Sequence, residues 1–256
     1  METIPPFVMG AIRFIIAGVV LYAIARWRGA PAATAREWRT AAITGVLMLA
    51  FGNGAVIWSE QTVPSGVVAL LVASVPLWIV LIDWLRPYGV RPRRKVFIGL
   101  ALGLIGIATL VGPQALLGEG HVSVFGAGVL MIGSISWALG SVITRTSERP
   151  SSALVAAALQ MIVASGAFVV MALISGELRG FSPATVSTRS LLGVVYLIIF
   201  GSLIGYTAYV YLLGAVSAAK ASTYAYVNPV IAVLLGWAFA NEPITARTLV
   251  AAVIIL

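Results

Sequence analysis

The feature that most constrains this chain is a succession of long apolar runs separated by short polar joints. The runs cover Pro5–Ala25, Trp38–Trp58, Val63–Leu85, Val96–Val111, Val122–Ile143, Ser152–Ile174, Leu191–Leu213 and Ala219–Ala240. A helix needs roughly 20 mainly apolar residues to cross the hydrocarbon core, and most of these runs reach that length. A ninth run begins at Thr245 and stops at Leu256, about halfway across by the same rule. The joints hold residues that end helices: Arg26 and Arg28, Arg86-Pro87, Gly112-Pro113, Glu148-Arg149-Pro150, Glu177 and Glu242-Pro243. The runs lack the alternation of a barrel strand, and in lipid a helix satisfies its own backbone. The chain therefore reads as an all-α polytopic membrane protein with nine segments.

Composition agrees, since 61% of the 256 residues are hydrophobic and 9% are charged. A soluble domain carries about 25% charged residues to keep its surface wet. The formal net charge of +8 would suggest nucleic acid in a soluble protein. Here the basic residues sit in loops between apolar runs, so the partner they imply is the lipid bilayer, not nucleic acid. There is no cysteine, and the single histidine, His121, lies in a loop beside Glu119 and Gly120. No zinc-protease, phosphate-loop or nucleophile-elbow pattern occurs, so no metal, cofactor or catalytic centre is expected. Nothing at the start of the chain reads as a cleavable signal.

Taking successive loops as alternating sides, twelve of the 16 basic residues fall on one side. These are Arg26, Arg28, Arg36, Arg39, Arg86, Arg91, Arg93, Arg94, Lys95, Arg145, Arg149 and Lys220. Arg179, Arg189 and Arg247 fall on the other, together with Glu2, Glu60, Glu119, Glu177 and Glu242, and Arg13 lies inside a segment. The basic side is expected to face the cytoplasm.

The chain also repeats itself. Shifted by 153 positions, Phe51–Leu85 meets Ile204–Ala238, placing Gly52 on Gly205, Ala55 on Ala208, Pro76 on Pro229 and Trp84 on Trp237. An earlier segment aligns at an offset of 147, with Arg13 on Gln160 and Ala17 on Ala164. Val122–Ile143 has no counterpart ahead of the Arg13 segment. The expectation is a ten-helix, inverted-repeat transporter fold shown here with its first helix absent and its last truncated. Residues 1–113 would form the first repeat and 122–256 the second.

Particular motifs carry a family resemblance. Pro5-Pro6 with Arg13-Phe14, Gly52-Asn53-Gly54, Val63-Pro64-Ser65-Gly66 and Pro76 resemble the first half of the EamA branch of the drug/metabolite transporters. Gly133-Ser134-Ile135-Ser136-Trp137-Ala138 and Tyr224-Ala225-Tyr226-Val227-Asn228-Pro229-Val230 resemble its second half, and together they are most similar to its YedA-like exporters. The resemblance implies two inverted five-helix repeats around a central cavity in a bacterial inner membrane. It also implies export of amino acids, metabolites or drug-like compounds, with no cofactor, and leaves a homo-oligomer open.

Six residues are candidates for contact with the solute: Arg13, Asn53, Trp137, Tyr206, Tyr226 and Asn228. Arg13 lies eight residues beyond Pro5, about 12 Å along the helix and near mid-membrane. A charge there costs about 3 kcal/mol or more unless partnered, so Arg13 marks either an anion site or a structural contact to carbonyls or Glu60. Asn53 and Asn228 offer amides, while Trp137, Tyr206 and Tyr226, like Trp78, lie away from the segment ends that suit interfacial aromatics such as Trp27, Trp38, Trp58 and Trp84. Gly99 and Gly103 have the spacing that lets helices approach closely. Pro76 and Pro229 are candidate hinges, each expected inside a helix and each freeing a carbonyl one turn earlier. No carboxylate lies near the midplane, so proton coupling would fall to Glu60 or Glu242 at a cavity mouth, and uniport or exchange fits the sequence as well.

Overall fold

A computed structural model describes residues 3–87, 89, 91–117, 123–148, 150, 152–240 and 245–255, with backbone alone at 65–66, 113–117, 218–219, 232 and 235–240. Glu2, Glu119, His121, Arg149 and Glu242 lie outside the described residues. Seven spans among the described residues are long and apolar enough to cross a membrane, with Val67–Leu85 counted as one of them despite an internal break.

The helices follow the apolar runs. They are α1 (Pro6–Trp27), α2 (Ala35–Ser59), α3 (Ser65–Val72), α4 (Val75–Leu85), α5 (Arg94–Leu117), α6 (Val124–Thr146) and α7 (Ala153–Ile174). After the helical turn Glu177–Gly180 come α8 (Thr188–Ala215), α9 (Ala218–Ser222), α10 (Tyr224–Ala240) and α11 (Ala246–Ile255). Local chemistry sets several ends. Thr34 and Glu37 form a capping box at the start of α2, each side chain accepting the other's backbone N–H, at 3.3 and 2.6 Å. Ser123 and Ser187 cap α6 and α8 in the same donor-satisfying way. Gly112, at φ 77°, interrupts α5 where the sequence places the end of its run.

One expectation needs correction. Val63–Leu85 is not a continuous helix kinked at Pro76: the chain turns at Ala73–Ser74, and Pro76 is the second residue of α4. Proline is well tolerated there because a first-turn N–H has no helical acceptor anyway. Ser74 bridges the break, its hydroxyl donating to the Leu71 carbonyl at 2.5 Å and accepting from Trp78 Nε1 at 3.1 Å. Trp78 is thereby tied to its own helix. Pro229, by contrast, does lie inside a helix, α10, where it removes the donor for the Ala225 carbonyl.

The two segments that align at an offset of 147, α1 and α7, pack on one another. Gly10 meets Phe168, Ser165 Oγ donates to the Ala11 carbonyl at 3.1 Å, Gly18 meets Ile162 and Ala158, and Ala25 clusters with Val155. Partner numbers fall as α1 advances, so the helices run antiparallel. Close approach depends on small residues, because helices in lipid gain from packing what lipid tails cannot supply. At Gly18 a methyl group would come within 2.8 Å of Ile162 Cγ1. At the far end, Gly176, at φ 76°, lets the chain double back after α7. Glu177 then reaches the start of α1, and its Oε2 accepts the Phe7 and Val8 N–H groups at 2.9 and 3.1 Å. This carboxylate satisfies donors that α1 leaves open, and it suits the positive end of the helix dipole.

A second correspondence joins α2 and α8. Both widen to a π-helix in mid-course, over Val46–Asn53 and Leu197–Tyr206. The sequence pattern gives no sign of this local form. Gly133 and Gly140 of α6 lie against Ala55 and Met48 of α2, leaving less room than a side chain needs. Gly103 of α5 likewise receives the Tyr226 ring, whereas Gly99 has nothing close to it.

Candidate functional site

A cavity of about 690 Å³ lies where α1, α2, α3, α4, α6, α8 and α10 converge. Arg13 and Phe14 reach it from α1, Gly52 and Asn53 from α2, and Ser134 and Trp137 from α6. Gly201, Tyr206 and Tyr209 face it from α8, and Tyr224 and Asn228 from α10. Five of the six expected solute-contact residues thus share one space. Tyr226 does not: it is buried beside Ala73, Val80, Leu100 and Ile107, and its hydroxyl points to the Leu100 carbonyl at 3.4 Å.

Arg13 is 8% exposed, and its Nε donates to Ser202 Oγ at 2.8 Å. The rest of the guanidinium borders the cavity, resting over the Phe14 ring at 4.8 Å and against Gly201. A methyl on Gly201 would stand 2.7 Å from the terminal Arg13 nitrogen, so this glycine makes the room the cation occupies. Glu60 is not its counterion. The ion pairs among the described residues are Arg36–Glu148 at 3.7 Å and Arg86–Asp83 at 2.6 Å. Glu60 stands just past the end of α2, where partial desolvation raises its carboxyl above the ordinary range.

Gln160, aligned with Arg13 in sequence, has a different fate. It is 2% exposed, donating to Thr44 Oγ1 at 2.8 Å and Thr144 Oγ1 at 3.1 Å while accepting from the Tyr206 hydroxyl at 2.8 Å. The amide is fully used by protein, and this network anchors Tyr206 at the cavity edge.

Four aromatic rings packed together line the same cavity as Arg13. Trp137 packs edge-on to Tyr206 at 6.2 Å and tilted to Tyr209 at 5.6 Å, and Tyr209 meets Tyr224 at 4.6 Å between ring centroids. Tyr209 is held by Ser141, 2.8 Å from its hydroxyl. Sequence reasoning missed Ser202, Tyr209 and Tyr224. The first two are a single hydroxyl and one aromatic among many on long helices, and nothing in their spacing marks the inward face. Asn53 Oδ1, buried on the cavity wall, has no hydrogen-bond partner among the described residues, whereas the Trp137 indole interacts with the Tyr209 and Tyr224 hydroxyls. Among the described residues that line the cavity, Arg13 is the sole charged side chain.

Comparison with known proteins places this architecture among transporters. A model of the EamA-like transporter family matches residues 1–112 and 124–256. The chain is 40% identical over 245 residues to the uncharacterized inner membrane transporter YedA of Escherichia coli K12, covering 95% of this chain and 77% of that protein. It is 22% identical over 266 residues to the Salmonella typhimurium protein named Probable amino-acid metabolite efflux pump, covering 98% of this chain and 83% of the relative. A solved crystal structure superposes with a TM-score of 0.81 at 20% identity, over 99% of this chain and 87% of the other, which shows a common fold.

Proposed function

Because the chain belongs to the EamA-like transporter family and is a transporter of that kind, we propose that it exports small organic solutes from the cytoplasm across a bacterial inner membrane by alternating access. The carrying observation is the cavity itself: a space of about 690 Å³ walled by helices from both family-matched segments, with a buried arginine at its edge. Channels select by polar or charged rings along a pore, whereas this wall is mostly aromatic and apolar with a few convergent polar groups, the pattern of a binding pocket. The relatives' names, an inner membrane transporter and an efflux pump, support location and direction.

In this reading Arg13, Asn53, Trp137, Tyr206 and Asn228 contact the solute, and Tyr226 fixes α10 against α5. The two segments act as inverted repeats that rock about the antiparallel α1–α7 pair. The break at Ala73–Ser74, just ahead of Pro76, and the proline inside α10 supply the bending points. Reconstitution of the purified protein in vesicles tests the proposal. Saturable counterflow of labelled organic solutes, lost on Trp137→Ala and Asn228→Ala at unchanged thermal stability, is the expected result. Solute movement that rises linearly with concentration and ignores both substitutions would refute it.

A further inference from the structure

We propose that the cavity selects organic monoanions, carboxylates whose nitrogen is acylated or otherwise uncharged, over free amino acids and over neutral or cationic solutes. This rests on the transport reading above and narrows its substrate class.

Charge is the first constraint. Arg13 is the sole charged side chain among the described residues lining the cavity, and no aspartate or glutamate is among them. A carboxylate placed on the guanidinium gains a charge-assisted hydrogen bond in a space of low dielectric. A free amino acid would bring that carboxylate together with an ammonium, which would meet neutral acceptors where a desolvated cation needs an anion. A dianionic phosphate would leave one negative charge unpaired beside a single cation. The charge of the wall therefore favours a solute of net charge minus one.

Geometry adds the rest of the solute. Asn53 Oδ1 is buried without a protein partner, an acceptor on the cavity wall. An unsatisfied buried polar atom is costly, so a solute that brings an N–H recovers an interaction the protein alone leaves unmade. An acylated nitrogen supplies that N–H without adding charge. The aromatic wall of Trp137, Tyr206, Tyr209 and Tyr224 suits a flat apolar body. Arg13 is also not fully used by the protein: Ser202 takes Nε, and the guanidinium, seated in the room that Gly201 leaves, borders the cavity.

Three related solutes separate these terms. N-acetyl-L-phenylalanine has the carboxylate, the amide and the ring. N-acetyl-L-phenylalaninamide lacks the charge, and L-phenylalanine adds the ammonium. Equilibrium binding to the purified protein, with counterflow in vesicles, is expected to favour the acetylated acid by about tenfold or more over each of the others, a factor corresponding to about 1.4 kcal/mol. Arg13→Gln is expected to abolish that preference while leaving the weak binding of the amide unchanged. Arg13→Lys, which keeps the charge, is expected to retain most of it and covers the case in which the glutamine variant does not fold. Binding of the amide or the free amino acid as tight as that of the acid would overturn the anion class, as would an equal loss for all three in Arg13→Gln. If the amide or the amino acid is transported while the acid is not, the anion class fails and the transport reading stands. If no solute binds or moves, both fail.

Discussion

Asn53 and Tyr206 are the last residues of the two π-helical stretches, Val46–Asn53 and Leu197–Tyr206, and they stand 153 positions apart, the offset at which the two halves align. Both line the cavity. A π-turn carries one more residue per hydrogen-bonded ring than an α-turn, so it rotates the remainder of its helix and re-aims side chains, and such turns concentrate at functional sites. The two positions differ in how their polar atoms are used, and that difference can be measured.

Tyr206 donates to Gln160 within a buried network, so Tyr206→Phe should destabilise the protein. Hydrogen bonds between membrane helices are worth about 0.6 kcal/mol on average and up to about 1.7 kcal/mol, and the loss should fall in that range. A double-mutant cycle with Gln160→Met, read by unfolding in mixed micelles, should return a coupling energy of the same size.

Asn53→Leu should behave oppositely. Oδ1 has no protein partner, so replacing the amide by an apolar group of similar shape should be neutral or should stabilise by about 1 kcal/mol. Thermal unfolding should show Tm unchanged or raised while solute binding weakens. A clear fall in Tm would mean that the amide is structural.

Gly45 lies so close to α7 that a methyl group would stand 2.5 Å from the Gln160 carbonyl oxygen and 2.9 Å from its Cα. Backbone cannot move aside as a side-chain end can. Gly45→Ala should therefore cost about 1–3 kcal/mol. Gly166→Ala, in α7 with open space around it, should be neutral or slightly stabilising by helix propensity, and comparison of the two by thermal unfolding checks the assignment.

Glu177→Gln should lower stability by about 0.5–2 kcal/mol, the range for losing a charged cap. Glutamine retains an oxygen for one N–H of α1 and loses the charge facing the dipole. Amide exchange at Phe7 and Val8 should quicken relative to the middle of α1.

Glu60 makes stability depend on pH. Desolvation raises its carboxyl, so folding favours the protonated form. Its contribution is complete below the unfolded-state pKa and is lost as pH rises through the higher folded-state value. Glu60→Gln should therefore raise Tm above that value, at pH 7 to 8, and leave it unchanged near pH 3. An equal change at both ends would assign the effect to packing.

Membrane embedding and the positions of most helices were legible in the chain itself. The reason is that lipid enforces run length and internal hydrogen bonding, and both are written locally. The packing of the aligned segments α1 and α7 on one another was not legible, nor was the rotation of each helix about its axis. On α1 the exposed face carries Ile15, Ile16, Val19 and Val20, and the buried face carries Phe14, Ala17 and Leu21. Both are apolar, so no amphipathic stripe announces the interior. Tertiary packing alone decided that Arg13 reaches the cavity beside Ser202 while its aligned counterpart Gln160 is consumed by Thr44, Thr144 and Tyr206. It also turned Tyr226 toward Leu100 and brought Tyr209 and Tyr224 to the wall. Sequence thus determined that a mid-membrane charge needs a partner, and only the packing of seven helices decided what that partner is and which way the charge faces.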